Sequence, residues 1–254
     1  MSKIISVVSG KGGVGKTTLV SNLGAALTKR GQNVVIIDGN VTTPNLSLHL
    51  GIPFYPVTLH DALRDNIPIE NAVYTHHSGM KIIPASLSID ALNGVDMDKL
   101  GEALSTLLHK TDIVIIDSAA GLGKEAMASM DVADELLIVT NPDLPAVTDA
   151  LKTIKIAQSK GIKIMGVVVN RIKGLKHEMS IPEIRSMLEV PIVSIIPEDI
   201  SVPKSISKKK PVVHHKPKSK SSVAFQRLAL KIMGNPSGEI DQRKWWERLF
   251  FWLE

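Results

Sequence analysis

Ten residues near the start, Ser9-Gly10-Lys11-Gly12-Gly13-Val14-Gly15-Lys16-Thr17-Thr18, join the apolar run Ile4–Val8 to a stretch of helical period, Thr17–Arg30. From Gly10 to Thr17 they fit G-x-x-x-x-G-K-[ST], the phosphate loop that follows a strand and opens a helix. Glycines there let backbone N–H groups converge on phosphate oxygens, and the helix N-terminus adds its dipole. Lys16 is expected to reach the β- and γ-phosphates of a nucleotide, and the Thr17 hydroxyl to bind Mg²⁺.

The rest of the chain has the pattern such a loop needs. Val34–Ile37, Lys81–Ile83, Ile113–Ile116, Leu136–Val139, Ile164–Val169 and Ile192–Ile195 are further Val/Ile-rich runs without polar alternation, which predicts strands covered on both faces. Helices are predicted between and after them at Asp96–Lys110, Ala146–Lys160, Ile181–Leu188 and about Ser222–Met233, with Gly31 and Gly161 ending two. Strands alternating with helices give the fold class α/β, a mostly parallel twisted sheet with helices on both faces. The absence of cysteine excludes disulfides, thiolate zinc sites and cysteine-bound iron–sulfur clusters. No apolar run approaches the ~18 residues of a membrane span.

Two acids end neighbouring apolar runs, Asp38 after Val34–Ile37 and Asp117 after Ile113–Ile116. Either could be a strand-end acid capping the next turn, but open parallel sheets bind ligands at strand carboxyl ends, so two such acids together are candidates for the metal. The pairs His76-His77 and His214-His215 have no third ligand at metal-binding spacing and are expected to be surface-loop residues.

The loop carries an early lysine, Lys11, in the pattern K-G-G-x-G-K-T-T, which resembles the deviant Walker A motif of the MinD/ParA family of P-loop ATPases. Asp117-Ser118-Ala119-Ala120-Gly121 resembles the family's Walker B acid and second switch. Asp38, followed by Asn45-Leu46-Ser47-Leu48, resembles its first switch. Thr140-Asn141-Pro142, Asn170-Arg171 and Ile196-Pro197-Glu198-Asp199 complete the order over residues 3 to about 233. The resemblance implies ATP and Mg²⁺ as cofactors, with Thr17, Asp38 and Asp117 around the metal. It implies that Gly10, Lys11, Gly12, Gly13, Val14, Gly15, Lys16, Thr17 and Thr18 hold the phosphates. Asn170, Arg171, Pro197 and Glu198 would border the adenine. Lys11 would cross to the partner's nucleotide in an ATP-dependent homodimer. Catalysis would rest on Lys11, Lys16, Asp38 and position 40. There the usual second aspartate is replaced by Asn40, which can orient a water but has no basic site. Slow hydrolysis is the expectation.

The C-terminal end departs from the α/β pattern. The expected organisation is an ATPase domain over 1–233, a linker over 234–240 and an amphipathic helix over 241–254. In that helix Trp245, Trp246, Leu249, Phe250, Trp252 and Leu253 share a face opposite Arg243, Lys244, Glu247 and Arg248. A tail docked in its own domain, a partner-binding helix and a membrane-interface helix all fit these residues. The resemblance to the amphipathic end of MinD proteins favours the membrane, hence a cytoplasmic chain held peripherally on the inner face of the cell membrane. Seven lysines and no acid from Lys204 to Lys220 suit a solvated face, a disordered loop or contact with an anionic partner. That partner is either anionic lipid or, in a segregation ATPase of the ParA kind, DNA bound without sequence preference. An unidentified regulatory protein is the remaining expected partner, and positioning of division or other polar machinery the expected process.

Overall fold

A computed structural model describes residues 2–51, 54–65 and 67–234. The strands are β1 (Lys3–Ser9), β2 (Val34–Gly39), β3 (Tyr74–Thr75), β4 (Lys81–Ile83), β5 (Ile113–Ala120), β6 (Glu135–Thr140), β7 (Ile164–Ile172) and β8 (Ile192–Pro197). They form one sheet in the order β3-β4-β2-β5-β1-β6-β7-β8. Every pairing is parallel except β3 with β4. The α-helices among the described residues are α1 (Lys16–Thr28), α2 (Leu46–Leu50), α3 (Leu59–Asp65), α4 (Leu100–Ser105), α5 (Lys124–Asp131), α6 (Leu144–Ser159), α7 (Ile181–Leu188), α8 (Ser201–Ser207), α9 (Val212–His215) and α10 (Lys220–Ile232).

The unalternating strand runs bury both faces, as they predict. On one face Ile5, Val7, Ile36 and Ile115 pack with Leu19, Leu23 and Leu27 of α1 and Phe225 and Leu228 of α10. On the other, Ile4, Val35, Ile37, Val114 and Ile116 pack with Leu59 and Leu63 of α3 and Leu100 and Leu104 of α4. Further along the sheet, Leu136, Ile138 and Val169 pack with Ile154 of α6 and Ile184 of α7.

The helix expected over 96–110 is broken. It runs as a 3-10 turn at Met97–Lys99, α4, and a second turn at Leu108–Lys110. Leu100, Leu104 and Leu107 are buried, so the helical period is right. The ladder stops because Ser105 and Thr106 turn their hydroxyls onto the Glu102 and Ala103 carbonyls, at 2.6 and 3.3 Å. The lysine-rich stretch is an ordered succession of short helices and tight turns. Lys204 lies in α8 and Lys220 opens α10, while Lys208, Lys209, Lys210, Lys216 and Lys218 lie in the turns on either side of α9; all seven are exposed, over buried Val212 and Val213.

The expectation of surface histidines fails at His76, which is 1 % exposed. Its Nδ1 lies 2.8 Å from Ser78 Oγ and accepts from Ser78 N, and its ring sits 3.8 Å from that of His77. Burial, helped by the charges of His77 and His214, pushes its pKa down to about 4. His214, which also feels Lys29, is lowered too, first by burial. The unfolded chain therefore binds protons here that the native one refuses. This contribution to stability is complete above pH ~6.5 and lost as pH falls from there toward about 4. Raised aspartates act with the opposite sign in the same window, so the test is a difference. In chemical denaturation at stepped pH, His76→Asn should lose less stability than the parent between pH 6.5 and 4. Parallel curves would refute this.

Candidate functional site

Three glycines of the loop between β1 and α1 answer particular constraints. A Cβ on Gly10 would stand 2.3 Å from the Asp149 carbonyl oxygen of α6, so the residue is glycine because another backbone crosses it. Gly13 and Gly15 have φ of 78° and 100°, and Gly15 is also the N-cap of α1. A Cβ on Gly15 would meet Asn170 Nδ2 at 2.4 Å. That amide donates to the Val14 carbonyl at 2.7 Å.

Lys16, 8 % exposed, donates from Nζ to Ser9 Oγ at 2.9 Å, and Ser9 Oγ donates to the Lys11 carbonyl at 2.8 Å. Burial lowers the Lys16 pKa and the nearby charge of Asp117 opposes it. Lys11 itself points into solvent. The α1 helix is tied to the lysine-bearing segment: Asn22 Nδ2 donates to the Thr18 carbonyl at 2.8 Å, while Asn22 Oδ1 accepts from Val213 N at 3.2 Å.

The register of β2 on β5 sets Asp38 beside Asp117. Both are buried, at 0 % and 2 % exposure. Burial raises the Asp117 carboxyl to about 6, against a hydrogen bond from Thr17 and the charge of Lys16. Burial and then the charge of Asp117 raise Asp38 well above the usual range, opposed by backbone N–H groups. Those groups belong to the following loop: Asp38 Oδ2 accepts from Asn45 N at 3.1 Å and Leu46 N at 2.9 Å, and Oδ1 from Asn40 N at 3.3 Å. Asp117 Oδ1 is buried without a hydrogen-bond partner. Two adjacent buried carboxylates, one with an orphaned oxygen, a hydroxyl and a lysine suit a hard divalent ion bound with phosphate. The residues fit Mg²⁺.

Asn40 does not point at this cluster. Its Oδ1 accepts from Thr43 N and Oγ1 at 3.2 and 3.1 Å, and its Nδ2 donates to the Thr43 carbonyl at 2.7 Å. Both ends of the amide close the loop on itself.

The expected adenine border is assembled at the ends of β7 and β8, where Asn170 pairs with Ile196 and Ile172 with Pro197. Arg171 is exposed with φ 59°, and Glu198 N donates to the Ile172 carbonyl at 2.9 Å. Asn170 is spent on the phosphate loop, so here it joins the two regions. Asp199 was not among the expected binding residues. Its Oδ1 accepts from Ser201 N at 2.8 Å, and its Oδ2 accepts from Ser221 N and Oγ at 3.1 and 2.8 Å. Burial works against ionisation, but these bonds outweigh it and hold the carboxyl well below the usual range. Ser9 could have been found from its place in the motif. Asp199 could not, because Ser221 lies 22 residues away.

Trp245, Trp246, Leu249, Phe250, Trp252 and Leu253, and the expected linker after Gly234, lie outside the described residues. Among the described residues no helix is long and apolar enough to cross a membrane, and no group of three or more His, Cys, Asp or Glu is placed to hold a metal.

The model of the CobQ/CobB/MinD/ParA nucleotide binding domain matches residues 5–212. An uncharacterized ATP-binding protein of Methanocaldococcus jannaschii is 37 % identical over 92 % of this chain and 89 % of its own. The septum site-determining protein MinD of Pyrococcus horikoshii, solved with Mg-ADP, superposes with a TM-score of 0.87 at 36 % identity, over 91 % of this chain and 96 % of that one. MinD of Aquifex aeolicus, solved in a MinC:MinD complex, gives 0.82 at 30 % identity over 92 % and 96 %. With the loop, the paired aspartates and the sheet order in place, the chain belongs to the MinD/ParA family of nucleotide-binding P-loop ATPases.

Proposed function

We propose that this chain is a MinD-like switch: it dimerises on ATP·Mg²⁺, holds a membrane surface reversibly while dimeric, and positions division or other polar machinery through a protein partner. The observation that carries the reading is the hold of Asp38 on the backbone of Asn45 and Leu46. Whatever fills the metal and γ-phosphate position changes the charge that Asp38 faces, and so changes what this loop is fastened to.

In this reading the amides of Gly10, Gly12, Gly13, Val14 and Gly15, with Lys16, Thr17 and Thr18, cradle the phosphates. Thr17 and Asp117 hold Mg²⁺, with Asp38 beside it, and the ion supplies charge neutralisation for the leaving diphosphate. Arg171, Pro197 and Glu198 border the adenine, with Asn170 behind. Exposed Lys11 is free to reach a partner's phosphates. Membrane contact belongs to Trp245, Trp246, Leu249, Phe250, Trp252 and Leu253, two copies per dimer, so avidity couples residence to ATP. The exposed lysines between Lys204 and Lys220, in α8, at the start of α10 and in the turns around α9, support attraction to anionic lipid, and equally to DNA.

Mass in solution tests the switch. The chain should double in mass with ATP·Mg²⁺ and stay monomeric with ADP, and Lys11→Ala should abolish the doubling. A chain that ignores both nucleotides would end this reading.

Anionic liposomes should sediment the full chain with ATP, and a chain ending at Gly234 should stay in solution. Equal ATP-dependent binding by both would count against the tail. A steep salt-dependent affinity for DNA would favour segregation instead.

Hydrolysis should be slow, because position 40 offers an amide committed to Thr43. In steady-state phosphate release Asn40→Asp should turn over faster. No acceleration would show that position 40 is not limiting.

A further inference from the structure

The loop after Asp38 is fastened at more points than the aspartate alone provides. His60, on α3 and fully buried, accepts from Ser86 N at its Nδ1 (3.0 Å). Its Nε2 therefore carries the proton and donates to the Val41 carbonyl at 3.1 Å. Asn40 and Thr43 close on each other. The remaining hold comes from the other side of the site. Helix α5 follows directly on the Asp117–Gly121 segment and sits hard on the end of β2. A Cβ on Gly39 would stand 3.1 Å from Ser129 Oγ. One turn back on the same face of α5 is Glu125. Its Oε1 accepts a hydrogen bond from Thr42 Oγ1, its Oε2 is buried without a partner, and its charge is felt by His60.

We propose that Glu125 is a positioning residue for ATP hydrolysis: through Thr42 it ties the loop of the first switch to the helix that follows the second, giving that loop a carboxylate anchor that Asn40 does not provide. The two switch segments attach to neighbouring strands, and a γ-phosphate must be met by both in one geometry. The Thr42–Glu125 bond is a side-chain link that makes them move as one. It contributes through alignment and leaves the phosphate cradle untouched, so its loss should appear in kcat.

The proposal rests on the reading that the chain hydrolyses ATP, and the same assay separates the two. Phosphate release by the full chain with ATP·Mg²⁺ is measured for the wild type, Glu125→Ala, Glu125→Gln, Thr42→Val, Thr42→Ser and the Glu125→Ala/Thr42→Val pair. Losing one hydrogen bond that matters to alignment should cost about tenfold in kcat for Glu125→Ala and for Thr42→Val, with KM for ATP within about twofold. Gln keeps an acceptor and Ser keeps a donor, so both should stay within about threefold of the wild type. The double variant should be no slower than the slower single one. Thr42 is exposed, so its replacement does not endanger the fold. Wild-type kcat in Glu125→Ala, additive losses in the double variant, or Glu125→Gln as slow as Glu125→Ala beside a normal Thr42→Val would overturn the proposal. The last pattern would make Glu125 a proton acceptor instead. A wild type without turnover would remove the hydrolysis reading and this one together.

Discussion

Two carboxylates lie side by side in the sheet interior, and most of the site is arranged around that unfavourable fact. Asp38 and Asp117 are forced together by the register of β2 on β5, with Ile37 and Ile116 behind them. Neither position is solvated. Burial favours the protonated form of both, and the charge of Asp117 adds to this at Asp38; the protein opposes it with Lys16 and Thr17 at Asp117 and with the amides of residues 40, 45 and 46 at Asp38. Such a cluster is poised to respond to charge. A divalent ion bound with a polyphosphate would supply the positive charge that two such acids call for.

The groups that compensate are the ones that can transmit a signal. Asp38 grips the start of α2, Lys16 grips Ser9, and Asn170 grips Val14. Beyond the phosphate region, Asp199 fastens the loop after β8 to the first turn of α10. Asn22 fastens α1 to α9. The segments around the phosphate loop and the loop after β8 are thus bonded to α9 and α10, the last helices among the described residues. The Asp38 and Lys16 bonds join residues close in the chain, whereas those of Asn170, Asp199 and Asn22 join residues 156, 22 and 191 apart.

Legibility in the sequence followed the range of the interaction. The seven longer strands were readable because residues buried on both faces leave an unbroken Val/Ile run, and α6, α7 and α10 because one buried stripe recurs every turn; α1, buried on nearly all sides, was marked by the glycine loop before it and Gly31 after it. The two-residue strand β3 left no run to see, since Tyr74 and Thr75 are held by pairing with Ile82 and Lys81. Helices α2, α3, α8 and α9 were too short for a period to show, and α5, as long as α7, buries mostly small residues (Ala126, Ala128 and Ser129), which leave no apolar stripe. The continuous helix expected over 96–110 failed for a different reason: the period was there, but two hydroxyls competed for its carbonyls.

The sequence by itself determined the parallel α/β layout, the phosphate loop with Lys11 and Lys16, and the two acids at strand ends, because each depends on residues adjacent in the chain. Only the tertiary structure decided how those groups are spent. That Asn170 supports the phosphate loop, that Asn40 turns away from the acids, that His76 is buried, and that Glu125 and Asp199 reach across to Thr42 and Ser221 all depend on elements brought together by folding. A hydrogen bond between residues 83 apart, like the one joining Thr42 and Glu125, leaves no trace in the spacing of either.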